Sequence, residues 1–249
     1  MKPIAGLDFT DPLTFITSLV LICVIVFVRY IVLSGAYHWM VSKYGKKMLK
    51  HRLLFPPRNN TKQIKRELVL SSYSAVIFSV VGMIVLILYQ LGYTKVYTDI
   101  YEYPLWYIPV SIVVYLLIHD FYYYWLHKWM HVSPLLRKYH MAHHQSVRTT
   151  AFTSFSFHPV ESVLQAIILP AIIMVLPMSL LAILITLLLM TLSAIINHAG
   201  LEVYPLVKRV GFIRKNFIGA THHDHHHRNL KKNFGLYFTF WDRWMKTEK

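Results

Sequence analysis

From Ser162 to Ile196 the chain runs through 35 residues without one charged side chain. As a single helix this stretch would measure about 52 Å, against a hydrocarbon core of about 30 Å. It must fold back on itself. Pro177, followed by Met178 and Ser179, is the natural break, because proline cannot continue a helix. The expected result is a hairpin of two short helices whose ends return to one side of a membrane. Two further uncharged runs, Pro12 to Leu33 (interrupted only by Arg29) and Leu68 to Thr94, are each long enough to cross. A third helix is expected from Pro104, a residue favoured in a first helical turn, to His131. The composition agrees: 55% of residues are hydrophobic and 15% charged, with a mean hydropathy of +0.43, which excludes an ordinary soluble globular domain.

Charge placement sets the orientation. Residues 42 to 66 carry nine Lys or Arg and no acid, and the tail from Leu201 carries ten more basic residues. Between the second and third helices, Asp99 and Glu102 face a single Lys95. By the positive-inside rule the basic segments are cytoplasmic and the acidic loop faces outward. Arg29, near the end of the first run, is expected to snorkel toward the headgroups. The formal charge of +15 is explained by orientation, and no nucleic-acid partner is expected, since the basic residues flank apolar runs and form no stripe on a soluble surface. Lys2, with Asp8 and Asp11 ahead of the first run, makes a poor signal-peptide n-region; a retained anchor is expected. The expected fold is an all-α integral membrane protein with about four transmembrane helices and a cytosolic histidine-rich cap. It forms one membrane domain over 1–249, divided into N-terminal spans with a basic loop (1–104) and a catalytic region (105–249).

Fifteen histidines are present, and Cys23 is the one cysteine, inside an apolar run. An intramolecular disulfide and a Cys-ligated zinc or iron–sulfur site are thereby excluded. His38 and His51 are isolated and read as ordinary solvated or interfacial side chains. The others form a pattern. His127 and His131 stand four apart, on one helical face; His140, His143 and His144 have His-x2-His-His spacing; His223, His226 and His227 repeat it. His222, His225 and His226 fit that last spacing equally, so the register is open. His198 arrives at the same level from the returning hairpin. Nine imidazoles exceed the needs of one ion and suit two, with positions left open. Asp120, seven residues before His127, is expected to orient a ligand imidazole through its second ring nitrogen. His119, His158 and Glu161 are further candidates for supporting roles, the last two where the chain re-enters the membrane.

The segments "HDFYYYWLHKWMH", "YHMAHHQ" and "HHDHHHRNLKKNFGLYFTFWDRWMKT", with "SFHPVES" and "NHAGLEVYP" between them, resemble the fatty acid hydroxylase and sterol desaturase superfamily over about His119 to Thr247. The resemblance implies a four-helix-type membrane enzyme whose cytosolic cap holds two iron ions and uses O2 and two electrons to hydroxylate or desaturate a lipid. It implies metal ligation by His127, His131, His140, His143, His144, His198, His223, His226 and His227, and favours the register that leaves His222 as a neighbour. It implies a separate electron donor: a ferredoxin, a b-type cytochrome or a reductase. The departure from some relatives is Glu202, which stands four residues after His198 where they have another histidine.

Chemistry points the same way, because breaking an unactivated C–H bond needs a redox metal rather than acid–base side chains. The apolar helices beneath such a centre are expected to form a slot for a fatty acyl, sphingolipid or sterol-like substrate. The rival reading is a histidine-rich metal transporter or metal-buffering protein, which would place polar ligands within its spans near the midplane. The membrane expected from the sequence alone is a bacterial inner membrane.

Overall fold

The computed structural model describes residues 6–48, 50–56, 60–204 and 211–249. Lys2, Arg58, Lys208 and Arg209 of the charge argument and Pro205 of the quoted motif lie outside the described residues, as do the side chains of Lys46 and Lys47.

The protein is built from helices. α1 (Pro12–Met48) and α2 (Thr61–Gln90) are the two longest, followed by α3 (Tyr107–Val132) and α4 (Pro134–His144). α5 (Pro159–Ala166), α6 (Ile168–Ile173) and α7 (Leu180–His198) come next, and α8 (Gly211–Asn216), α9 (Ala220–Arg228) and α10 (Phe240–Trp244) complete the chain. Three of them are long and apolar enough to cross a membrane: Pro12–Gly45 within α1, all of α2, and α7. α3 is as long as a span, but its last turns carry His119, Asp120, His127, Lys128 and His131. The expected all-helical membrane fold is therefore observed.

Two boundaries differ from the sequence reading for one reason. α1 does not stop at Leu33 but continues to Met48, and α2 begins at Thr61, not Leu68. The basic stretch contains no proline before Pro56, and its Lys and Tyr residues are compatible with helix, so the spans leave the apolar zone still coiled. Asn60 caps α2, its side chain accepting from the Gln63 N–H. α3 starts at Tyr107, three residues after Pro104.

The folded-back run behaves as expected. Pro170 has no N–H to give the Ala166 carbonyl, and the descending arm is split there into α5 and α6. The chain turns at 174–177, and Ser179 caps α7 by accepting from the Ala182 N–H. At this end Val96–Tyr97 (β1) pairs in parallel with Met178–Ser179 (β2). Phe9 donates its N–H to Gln90 Oε1 there, joining the start of α1 to the end of α2. A core of Tyr89, Ile112, Tyr115, Ile173, Met178 and Ala182 packs beneath. The C-terminal ends of α3 and α7, together with α4 and α9, converge at the opposite end.

This arrangement predicts that, in a Cys23→Ser background, a membrane-impermeant maleimide labels Tyr101→Cys from one side of sealed vesicles and Lys231→Cys from the other. Labelling of both positions from the same side would contradict it.

Candidate metal centre

Four elements bring the histidines together. α3 supplies His127 and His131 one turn apart, α4 supplies His140, His143 and His144, α7 ends on His198, and α9 supplies His223, His226 and His227. All nine are buried. They divide into two groups, His127, His131, His140, His144 and His226, and His143, His198, His223 and His227. Within each group the ligand nitrogens lie within 4.8 Å of one another.

In the first group the Nε2 atoms of His131 and His226 are 3.0 Å apart, those of His226 and His144 3.2 Å, those of His144 and His140 3.0 Å, and those of His140 and His131 3.1 Å. In the second, His143 and His198 stand at 3.2 Å, His198 and His223 at 2.9 Å, and His223 and His227 at 3.2 Å. Two nitrogens bound at about 2.0–2.1 Å to one ion and set at a right angle would stand about 3 Å apart. The spacings therefore suit ligands sharing an ion.

The outer nitrogens decide whether the inner ones can ligate. His127 Nδ1 donates to the Phe234 carbonyl (2.9 Å), His226 Nδ1 to Lys232 (2.7 Å), His198 Nδ1 to Ala194 (2.7 Å) and His143 Nδ1 to Ser156 (3.3 Å). His140 Nδ1 meets Glu161 Oε1 at 2.9 Å. Each bond places the proton on Nδ1 and turns the Nε2 lone pair inward. His143 and His198 then direct two lone pairs at each other, which repel unless a cation lies between them. An all-nitrogen set of this kind suits a borderline transition metal such as iron.

Carboxylates behind the imidazoles fix the cap. Glu161, besides meeting His140, accepts from Gln165 Nε2 at 3.0 Å. Asp120 does not orient an imidazole as expected: its Oδ1 accepts the backbone N–H groups of Leu236 and Tyr237 (3.3 and 2.8 Å). The i, i+7 spacing puts it on the His127 side of α3, where its partners are backbone groups of the closing segment. His158 caps α5, its Nδ1 accepting from the Val160 N–H, and stands outside both groups. His119 is also outside them, with its Nδ1 3.1 Å from the Tyr237 hydroxyl. His222 lies against Asp242 at 3.1 Å, outside both groups, and His225 is outside them too.

Two acids were not given these roles by the sequence reading. Asp242 accepts from Phe234 N, Gly235 N and the Thr247 hydroxyl, and so holds the loop whose Phe234 and Lys232 carbonyls tether His127 and His226. Burial by itself would raise its pKa, but the bonds from His222, Thr247 and Gly235 bring it below the usual carboxylate value. Glu202, which departs from the histidine of some relatives, accepts from the Tyr204 and Thr221 N–H groups, capping the start of α9. A Cβ on Gly219 would stand 2.5 Å from Glu202 Oε1. The sequence signals for these acids were Asp242 in the most C-terminal quoted segment and Glu202 itself.

Beneath His198 a cavity of about 210 Å³ runs down between α1, α2, α3 and α7, with Ile22, Val26, Phe78, Leu187 and Met190 among its apolar walls. His119, Tyr237 and His198 border it as well.

The fatty acid hydroxylase family model matches residues 112–247. The chain is 29% identical to the lathosterol oxidase of Homo sapiens and 31% to that of Mus musculus, over 78% of this chain and 64% of each relative. It is 27% identical to a Δ7-sterol 5(6)-desaturase of Gibberella zeae, over 80% of this chain and 54% of the relative. The matches thus cover less than two thirds of these relatives' lengths. No solved structure matches significantly.

His143→Ala and His226→Ala, one from each group, are expected to lose bound metal on elemental analysis, whereas His51→Ala keeps it. Glu161→Ala should weaken metal binding by about 10–100-fold. Retained metal in His143→Ala would remove that residue from the ligand set. In the metal-free protein, burial followed by neighbouring imidazoles holds His144 and His223 well below the ordinary value, and burial brings His226 from 6.5 to about 4. The unfolded chain then binds more protons than the folded one across that window. Stability should be complete above the ordinary histidine value and be lost as pH falls toward about 4, measured by thermal unfolding of metal-free protein. A midpoint that stays constant through this window would contradict the burial of neutral imidazoles.

Proposed function

Because this chain belongs to the fatty acid hydroxylase family, we propose that it is a membrane-bound oxidoreductase that hydroxylates or desaturates a sterol-like lipid using O2 and two electrons. The observation that carries this reading is the pair of buried histidine groups standing over an apolar cavity. The named relatives include sterol oxidases and desaturases, which favours a sterol-like substrate over a fatty acyl or sphingolipid one.

Iron ions held by the five-histidine and four-histidine groups would supply the oxygen activation and electron transfer that attack on an unactivated C–H bond requires. The protein's own part is to place and protect. Five Nδ1 tethers keep the imidazoles neutral and oriented. The cavity walls align a rigid hydrocarbon under His198 and exclude water, so position selects the carbon attacked. Electrons come from a separate donor, a ferredoxin, b-type cytochrome or reductase, and the histidine cap faces the cytoplasm, in keeping with its basic surroundings. The catalytic region is taken as 105–249 and the first 104 residues as membrane spans with a basic loop; the family match lies within the former. A bacterial inner membrane is kept as the membrane of residence on the sequence reading alone.

The transporter reading has less support. Both histidine groups gather at one end of the helices, and no histidine group of this kind lies midway along a span among the described residues.

Metal analysis on detergent-purified protein, with mass spectrometry of host lipids and of added lathosterol, tests the proposal. Two irons per chain and a lipid that gains one oxygen atom or loses two hydrogens are expected. Freely exchanging metal beside an unchanged lipid profile would favour metal buffering.

A further inference from the structure

The cavity has one wall residue that its apolar character does not explain. Arg29, on α1, lines it together with Ile22 and Val26, seven and three residues earlier on the same helical face. The side chain is half-buried and its Nε is buried without a partner. Among the described residues no carboxylate pairs with it; the carboxylates within reach of a basic side chain are Glu161 beside His140, Asp242 beside His222 and Asp224 beside Arg228.

Snorkelling, expected from the sequence, would turn the guanidinium away from the protein. That expectation supposed that α1 ends nearby, but the helix continues to Met48. Leu33, one turn further on, and Tyr37 pack against Ala151, Ile195 and Ala199. The Tyr30 hydroxyl donates to the Phe152 carbonyl at 2.8 Å. Arg29 thus lies one turn short of the cap, within the apolar zone, at the upper part of a cavity that reaches His198. A guanidinium cannot shed its charge, and an unpaired charge in apolar surroundings is costly. What would offset that cost is an oxygen acceptor brought by the cavity's occupant.

We propose that Arg29 is a substrate-binding residue, which takes the oxygen-bearing polar end of the lipid and so fixes which way round the molecule enters and which carbon lies beneath His198. This inference rests on the lipid-oxidising function proposed above and adds that the substrate carries a hydroxyl or carboxylate. Of the other polar wall residues, Thr191 donates to the Leu187 carbonyl, Ser154 to the Ala151 carbonyl and Gln165 to Glu161, while the neutral Tyr115 hydroxyl, like Arg29, is left without a partner. His119 keeps one nitrogen on Tyr237. Arg29 is the one cationic donor in this lining, and a charged donor binds an oxygen acceptor more strongly than a neutral hydroxyl does.

The test is equilibrium binding to the detergent-purified, metal-loaded full chain of two matched pairs, lathosterol with cholest-7-ene and palmitate with hexadecane. Wild type should bind the oxygenated member of one pair at least about tenfold more tightly. Arg29→Leu should lose that preference while keeping its metal content, which separates a binding defect from misfolding. Arg29→Lys should recover part of it. If palmitate and not lathosterol shows the Arg29-dependent preference, the sterol-like substrate of the proposed function fails and the role of Arg29 stands. If Arg29→Leu keeps the wild-type preference, or wild type shows none in either pair, the proposal is overturned.

Discussion

Neutral imidazoles turned toward one another in a space closed to water are unstable as neighbours, because their lone pairs face across about 3 Å. Much of the cap answers that problem. The carbonyls of Phe234, Lys232, Ser156 and Ala194 and the carboxylate of Glu161 hold five outer nitrogens, and Asp242 in turn holds the loop that presents two of those carbonyls. The centre therefore depends on residues outside the histidine clusters, from Ala194 in the same helix turn as His198 to Phe234 far along the chain from His127. Helices bring the ligands to one level, and loop carbonyls together with Ala194 and Glu161 set the direction of five of the rings.

The membrane around the cap explains why so few elements suffice. Helices that cross hydrocarbon satisfy their own backbone, and the short β1–β2 pairing closes the end opposite the histidines, where the chain must turn. The other end is left free to combine α3, α4, α7 and α9 into a polar assembly. The two ends have opposite chemistry because their tasks differ: one seals the apolar bundle and the other carries buried polar groups that each need a partner.

How far the sequence could be read follows from which interactions are local. The 35-residue uncharged run forces a fold-back, and proline marks it, so the α6–α7 turn was legible without coordinates. The i, i+4 and His-x2-His-His spacings likewise put the histidines on common helix faces, and all nine come together. The division into five and four was not legible, since it depends on how α4 and α9 cross: His143 joins one group and His144 the other although they are adjacent in sequence. Asp120 misled for a related reason. Its spacing places it correctly along α3, but the distant segment at Leu236 and Tyr237 reaches it first. Glu202 and Asp242 bind backbone N–H groups, and backbone partners leave no mark in the identity of the residue contacted.

The approach of Gly219 to Glu202 has a consequence for how such a chain can vary. The carboxylate that caps α9 occupies the space a Cβ at 219 would need, so the two positions form one unit of allowed change. A methyl at 219 becomes tolerable only if the acid at 202 is shortened or moved, and a longer group at 202 keeps its place only opposite glycine. Across descendants of this plan, a side chain at 219 should appear only where the acid at 202 has also changed, although the two sites stand seventeen residues apart and neither belongs to a histidine group.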